Sequence, residues 1–293
     1  MITRVTTQMS MAAASARLQT GAARVAQFTE QATTLQAIQK PSDDPVGTAS
    51  SMQVRKEQAA AAQYTRNAND AVAWLATTDS ALSSVYSVLN SVRDLTVQAA
   101  NSGTMSDTDR DAFITQFRSL KSDLEARANT TYGTRSVFAG ASTAAAAYDP
   151  ATGWAASGTD VTRRIGDGTT VRVDTAGADV FGTGASSVFG VLDSIVSDLQ
   201  NGVNVNARIN DVDGALGAVR GAQADVGVRH ATALAAQDSL KTASVALENR
   251  RAGIEDVDLA KAVLDLQVQQ TNYQAALAVT AKVLQPTLMD YLR

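Results

Sequence analysis

A single histidine, His230, and no cysteine stand in a chain of 293 residues. Thiol nucleophiles, disulfides and Cys/His zinc sites are thereby excluded, and any serine–histidine device would have to use His230. His230 falls on an apolar helical stripe, where packing or a hydrogen bond is its expected duty. Asp211-Val212-Asp213-Gly214 is a fragment of a calcium loop without the later ligands or the closing glutamate. Gly182-Thr183-Gly184 begins a phosphate-binding pattern but lacks the third glycine and a following Lys-Ser/Thr, so it reads as a connector. The adjacent carboxylates Asp43 and Asp44 could form an acid pair. Helix capping accounts for Asp44, and Asp43 is expected to be solvated. Arg163-Arg164 and Arg250-Arg251 are too isolated to build a nucleic-acid groove, and a net charge of −4 argues the same way. No active site, metal site or cofactor site is expected.

The elements that would position these residues are mostly helices. Alanine fills 54 positions, and the four prolines, Pro41, Pro45, Pro150 and Pro286, leave two long stretches uninterrupted. Such runs favour extended helices. Residues 4–38 carry apolar side chains three and four apart (Val5, Met9, then one phase over Leu18, Val25, Phe28 and Leu35), which marks a helix with one apolar side. It should stop before Lys40-Pro41-Ser42-Asp43-Asp44-Pro45. Asp44 is then the N-cap of a second helix, with Pro45 in its first turn. That helix meets no breaker before Asn101, and its seam is Val72, Leu75, Leu82, Val85, Leu89 and Val92. At about 1.5 Å per residue it would be roughly 85 Å long, which predicts an elongated rod. Ser106 caps a third helix, in which Phe113, Phe117, Leu120 and Leu124 share a face.

Ten of the nineteen glycines lie within 133–190, where helix should give way to strands. Val161, Arg163 and Ile165, then Gly166-Asp167-Gly168, then Val171 and Val173 predict a hairpin. A shorter hairpin is expected from Tyr132-Gly133 to Phe138-Ala139-Gly140, and Ser142–Gly158 is expected to be loop. Helix should resume near Ser187 and strengthen after Ile209. Its seam runs through Val212, Leu216, Val219, Gln223, Val226, His230, Ala233, Gln237 and Leu240, and Gly214, Gly217, Gly221 and Gly227 are expected to permit close helix–helix approach. The last helix, roughly 256–285, carries Leu259, Val263, Leu266, Tyr273, Leu277 and Leu284, followed by an apolar tail with Leu288. Residues 1–40 carry four basic and one acidic side chain, and 255–293 five acidic and three basic, which favours pairing of the two ends. No run of eighteen apolar residues predicts a membrane span, and Met1-Ile2-Thr3-Arg4 does not open a cleavable signal peptide.

Read together, both ends resemble the flagellin superfamily, and within it the proteins of the hook–filament junction. The match is carried by Lys40-Pro41-Ser42-Asp43-Asp44-Pro45-Val46-Gly47 with Gln53-Val54-Arg55, by Arg172-Val173-Asp174-Thr175-Ala176-Gly177-Ala178-Asp179-Val180-Phe181-Gly182, and by Ile254-Glu255-Asp256-Val257-Asp258-Leu259-Ala260. The ending Leu284-Gln285-Pro286-Thr287-Leu288-Met289-Asp290-Tyr291-Leu292-Arg293 completes it. The resemblance implies a mainly α protein: long coiled-coil-like helices from both chain ends form the rod, and a small β-rich domain is inserted midway. Expected divisions are 1–40 and 255–293 as assembly helices, 41–132 and 189–254 as the halves of the helical rod, and 133–188 as an outward domain. It further implies terminal helices that are unordered in the free subunit and pair into an inner tube on assembly. Val5, Met9, Leu18, Val25, Phe28, Leu35, Leu259, Val263, Leu266, Tyr273, Leu277, Leu284 and Leu288 are the expected interface, with Pro41, Ser42, Asp43, Asp44 and Pro45 as the inter-helix loop. The implied partners are further copies in a ring, hook-associated protein 1, flagellin and a cytosolic chaperone of the flagellar type III export apparatus. Nucleic acid and membrane are not among them. A flagellin-type filament subunit is the alternative.

Overall fold

In the computed structural model, the described residues are 2–101, 106–142, 144, 146–155 and 159–284, with the side chains of 2–8, 10, 283 and 284 set aside. The chain divides into two compact units, residues 60–244 and residues 1–59 with 245–293.

The unit 60–244 is built on an antiparallel helix pair drawn from α2 (Pro45–Asn101) and α6 (Arg208–Glu255). On α2, Leu75, Leu82, Val85, Leu89 and Val92 are buried; on α6, Val212, Leu216, Val219, Val226 and Ala233 are buried, so both seams read from the sequence face the core. Polar rungs at the margin fix the register. Arg93 pairs with Asp213 at 2.6 Å, the Arg220 guanidinium lies over the Tyr86 ring at 5.0 Å and donates to its hydroxyl, and Gln237 donates to Asn69 at 2.7 Å. Of the polar positions on the α6 seam, Gln237 thus meets a polar partner on α2. Each fully buried Leu, Val or Phe contributes about 1.5–3 kcal/mol, so the apolar rows outweigh these exposed pairs.

Two shorter helices widen this core. Ser106 caps α3 (Asp107–Ala128) by accepting from the Asp109 N–H, and Ser187 caps α5 (Val188–Gln200) by accepting from the Gly190 N–H. The helix expected to resume at Ser187 and run on is two helices. Gly202, at φ 69°, and the Asn204 side chain, which accepts from the Asn206 N–H, end α5 before α6 begins. Lys121 of α3 reaches Asp193 of α5 at 2.7 Å.

Three antiparallel hairpins cap the core: β1 (Thr131–Tyr132) with β2 (Arg135–Ser136), β3 (Tyr148–Asp149) with β4 (Gly153–Trp154), and β5 (Thr162–Gly166) with β6 (Thr169–Arg172). The first and third match the sequence reading, and Gly168 takes the left-handed turn position at φ 72°. The second corrects it, because Ser142–Gly158 was expected to be loop. Its alanines give no alternation, yet Tyr148 and Trp154 stand opposite each other and enter an aromatic cluster. Tyr148 stacks on Phe189 at 4.0 Å, Phe138 meets Phe181 edge-on at 5.3 Å, and the Trp154 indole donates to the Gly182 carbonyl at 3.0 Å. Residues 143, 145 and 156–158 of that loop lie outside the described residues. Asp174, almost fully buried, accepts from the Val161 N–H at 2.7 Å and from Arg172, while its own carbonyl accepts from Arg229 of α6 at 2.8 Å. A short helix, α4 (Gly177–Phe181), follows and was not foreseen.

The second unit holds α1 (Ile2–Thr34), the start of α2, the end of α6 and α7 (Leu259–Leu284). The expected first helix extended to residue 38, but α1 ends four residues earlier. Leu35 adopts φ 57°, and the chain turns into an extended bridge instead.

The glycines of α6 correct a further expectation. A Cβ built on Gly214, Gly217, Gly221 or Gly227 meets nothing within 4 Å, so they serve no close helix approach. Gly177 is the opposite case, since a Cβ there would lie 2.0 Å from the Trp154 ring. Replacing Gly217 by Ala is expected to raise stability by about 0.5–1 kcal/mol, whereas Gly177→Ala lowers it by about 1–3 kcal/mol. Urea unfolding of the two variants followed by circular dichroism checks both signs.

Candidate assembly surface

The loop between α1 and α2 is organised by its two aspartates. Asp44 accepts from the N–H groups of Val46 at 3.0 Å and Gly47 at 2.9 Å, which makes it the N-cap of α2, with Pro45 the first helical residue. Asp43 was expected to be merely solvated. Its carboxylate accepts from the N–H of Lys40 at 3.0 Å and closes the turn through Pro41 and Ser42. A Cβ on Gly47 would come within 2.6 Å of the end of Ile38 and closer still to the Asp44 carboxylate, so both side chains would have to shift.

Beyond this loop α1 and α7 run antiparallel. Gly21 lies against the Tyr273 ring, where an added Cβ would stand 3.0 Å from the nearest ring carbon. Leu18, Val25 and Phe28 of α1 and Leu266 and Tyr273 of α7 are half-buried, and Ala262 is 4% exposed. The remaining apolar residues point elsewhere. Met9 is 68% exposed and Leu277 42%; Leu35, Leu259 and Val263 are also exposed, together with Leu264, Val268 and Val279, which the sequence seam did not include. The side chains of Val5 and Leu284 are not described, and Leu288 lies outside the described residues. A pair of helices has covered one stripe and left a second, on α7 above all, facing outward.

At the inner end of the pair the two chain segments are fastened together. Gln36 and Asp256 form an isolated antiparallel bridge, in which Ala37 donates to the Glu255 carbonyl at 2.7 Å and Val257 donates to the Leu35 carbonyl at 3.0 Å. Glu255, the last residue of α6, is 4% exposed. Its carboxylate accepts from the Ser51 hydroxyl, from Arg55 Nε at 2.9 Å and from Arg251 at 2.8 Å, while Arg251 also binds Glu248 at 2.7 Å. The Arg55 hydrogen bond is the main cause that pulls the Glu255 carboxyl down to about 2, against burial, which works upward. Sequence reading noticed Arg55 and Glu255 only as parts of a resemblance, because two hundred intervening residues hide the pairing.

His230 is half-buried on α6, and among the described residues no group of histidines and carboxylates could hold a metal ion. Asp213 is paired with Arg93 and Asp211 with Arg208 at 3.4 Å, so the calcium-loop fragment is helix surface. Gly182 and Gly184 take left-handed turn conformations ahead of α5. A cleft of about 900 Å³ is lined by Tyr148, Trp154, Asp193, Asp198 and Arg208, and Asp198 is neutralised by Arg208 at 2.7 Å and Asp193 by Lys121. Among the described residues no helix is long and apolar enough to cross a membrane.

Taken as a class, this is a mainly helical protein in which one unit pairs the two chain ends and the other is built on an antiparallel α2–α6 pair. Residues 5–143 match the bacterial flagellin N-terminal helical region and residues 209–292 the bacterial flagellin C-terminal helical region. Over 180 residues the chain is 31% identical to flagellar hook-associated protein 3 of Salmonella typhimurium, covering 61% of this chain and 56% of that one. It is 28% identical over 213 residues to the Escherichia coli protein of the same name, covering 72% and 65%. The alignments thus span less than two thirds of either relative. In fold, it is similar to the solved flagellar hook associated protein-3 of Legionella pneumophila, with a TM-score of 0.61 at 14% identity over 69% of this chain and 99% of that one. The chain belongs to the flagellin family.

A carboxyl held at about 2 in the folded chain and near 4.5 when unfolded stabilises fully above the higher value, and the contribution fades as pH falls between the two. With Arg55 largely in solvent, it is roughly 1–2 kcal/mol. Glu255→Gln is therefore expected to unfold at lower denaturant than the parent at pH 7, with the gap closing towards pH 2. Paired urea titrations across that range measure it.

Proposed function

We propose that this flagellar protein is a structural subunit of the hook–filament junction, with no catalytic role. Copies associate through α1 and α7 into a ring, with hook-associated protein 1 on the hook side and flagellin on the filament side. The observation that carries this is the outward apolar stripe on the paired ends, Met9 with Val263, Leu264, Val268, Leu277 and Val279. Apolar side chains left in solvent gain by burial, and neighbouring copies stacked around an axis would bury them. The two curated relatives named as hook-associated proteins support the junction over the filament body. The site is extracellular, reached through the flagellar type III export apparatus with a cytosolic chaperone.

The family match equally covers flagellins, which supports a filament subunit as the second reading. Seeding filament fragments with the purified chain separates the two. A junction protein caps the end after a short addition, and a filament subunit elongates it without limit, as electron micrographs would show.

The stripe itself is tested by Leu277→Asp. A carboxylate at an exposed position leaves the lone subunit folded, but burying it against a neighbour costs several kcal/mol. Secretion and the thermal melt of residues 60–244 should be unchanged while cells lose attached filaments. Leu266→Asp, placed between α1 and α7, should in addition loosen the pair. Filaments retained in the Leu277→Asp strain would remove α7 from the interface.

A further inference from the structure

Leu35 is the one non-glycine residue with a positive φ among the described residues, and it sits beside a buried carboxylate at the C-terminal end of a helix. Both features are unfavourable alone. Left-handed geometry strains a branched side chain, and burial and the helix dipole both oppose a carboxylate at that end. Such features persist together only where the surroundings over-determine them. They coincide where α1 leaves towards α2 and α6 leaves towards α7.

The pair that departs from this point carries little register information of its own. The inward row of α1 includes Ala14, Leu18, Gly21 and Val25, while α7 has apolar residues on two faces, so alternative faces compete to be inward. A slip by one residue would turn the inward stripe by about 100° and expose what is now covered. The bridge removes that ambiguity by holding Gln36 opposite Asp256, and the Gly21–Tyr273 contact follows from it.

We propose that Glu255 is a positioning residue whose clasp on Ser51, Arg55 and Arg251 locks the 35–37/255–257 bridge, so that the two chain ends order together and in one register. This goes beyond the role at the junction and stands on the joint alone: the clasp could fail with the outward stripe still an interface, or hold in a filament subunit.

Hydrogen exchange of the full-length chain seated on filament fragments, the state in which its ends pair, read by mass spectrometry, tests the coupling. In Glu255→Ala the Ala37 and Val257 amides should lose about tenfold or more of their protection, with losses spreading along α1 and α7, while residues 60–244 exchange as before. Glu255→Gln keeps the shape without the charge and should lose several-fold. Because the chain has no cysteine, register can be read separately by disulfide formation. Gly21→Cys with Tyr273→Cys should cross-link in preference to Leu18→Cys with Tyr273→Cys in the parent, and that preference should vanish on adding Glu255→Ala. The proposal is overturned if Ala37 and Val257 already exchange freely in the parent, if both Glu255 variants keep parental protection, or if the cross-link preference survives.

Discussion

Two antiparallel helices can cover only the stripe that each turns to the other, and every other apolar row must find its own lid. In residues 60–244 those lids exist. Beside the α2–α6 seam, α3, α5, α4 and three hairpins close over Trp74, Phe117, Phe181, Phe189 and Leu192 until each is buried. In α1 and α7 no third layer is present among the described residues, and Leu277 and Val279 stay in solvent. One seam rule thus yields a self-sufficient core in one unit and an incomplete one in the other. The incompleteness is what an assembling protein needs, since surface satisfied inside a monomer contributes nothing to joining monomers.

Polar chemistry in this chain is used to hold elements in place. Asp174 ties the β6 end to α6, and Asp70 receives Arg163 at 2.6 Å while the Arg163 and Arg135 guanidinium groups lie over the Trp74 ring at 5.6 and 5.8 Å. These contacts fasten the first and third hairpins to α2. They also occupy Arg163, weighed from the sequence for a nucleic-acid groove and set aside.

Much of this was legible before any coordinates. The second helix was read to both of its ends because Asp44, Pro45 and Asn101 carry local signals that do not depend on distant residues. The α6 seam was legible for the same reason, down to the polar positions. The β3–β4 hairpin was not, because its stability comes from Phe189 and Gly182, far along the chain. The α6 glycines misled because composition suggested close packing where the helix only faces solvent. On α7 the heptad stripe through Leu259, Val263, Leu266, Tyr273 and Leu277 was visible, but which residues turn inward depends on α1, and a pairing across two hundred residues leaves no periodic trace.

That bridge is closed by main-chain groups, with Ala37 and Val257 donating and Leu35 and Glu255 accepting. Backbone amides are supplied by any residue but proline, so the exposed side chains at 36 and 256 are free to be rewritten without opening the joint. Glu255 enjoys no such latitude, because its partners recognise a carboxylate. An engineer wishing to graft tags or labels near the chain ends therefore has two permissive positions beside one that should be left alone.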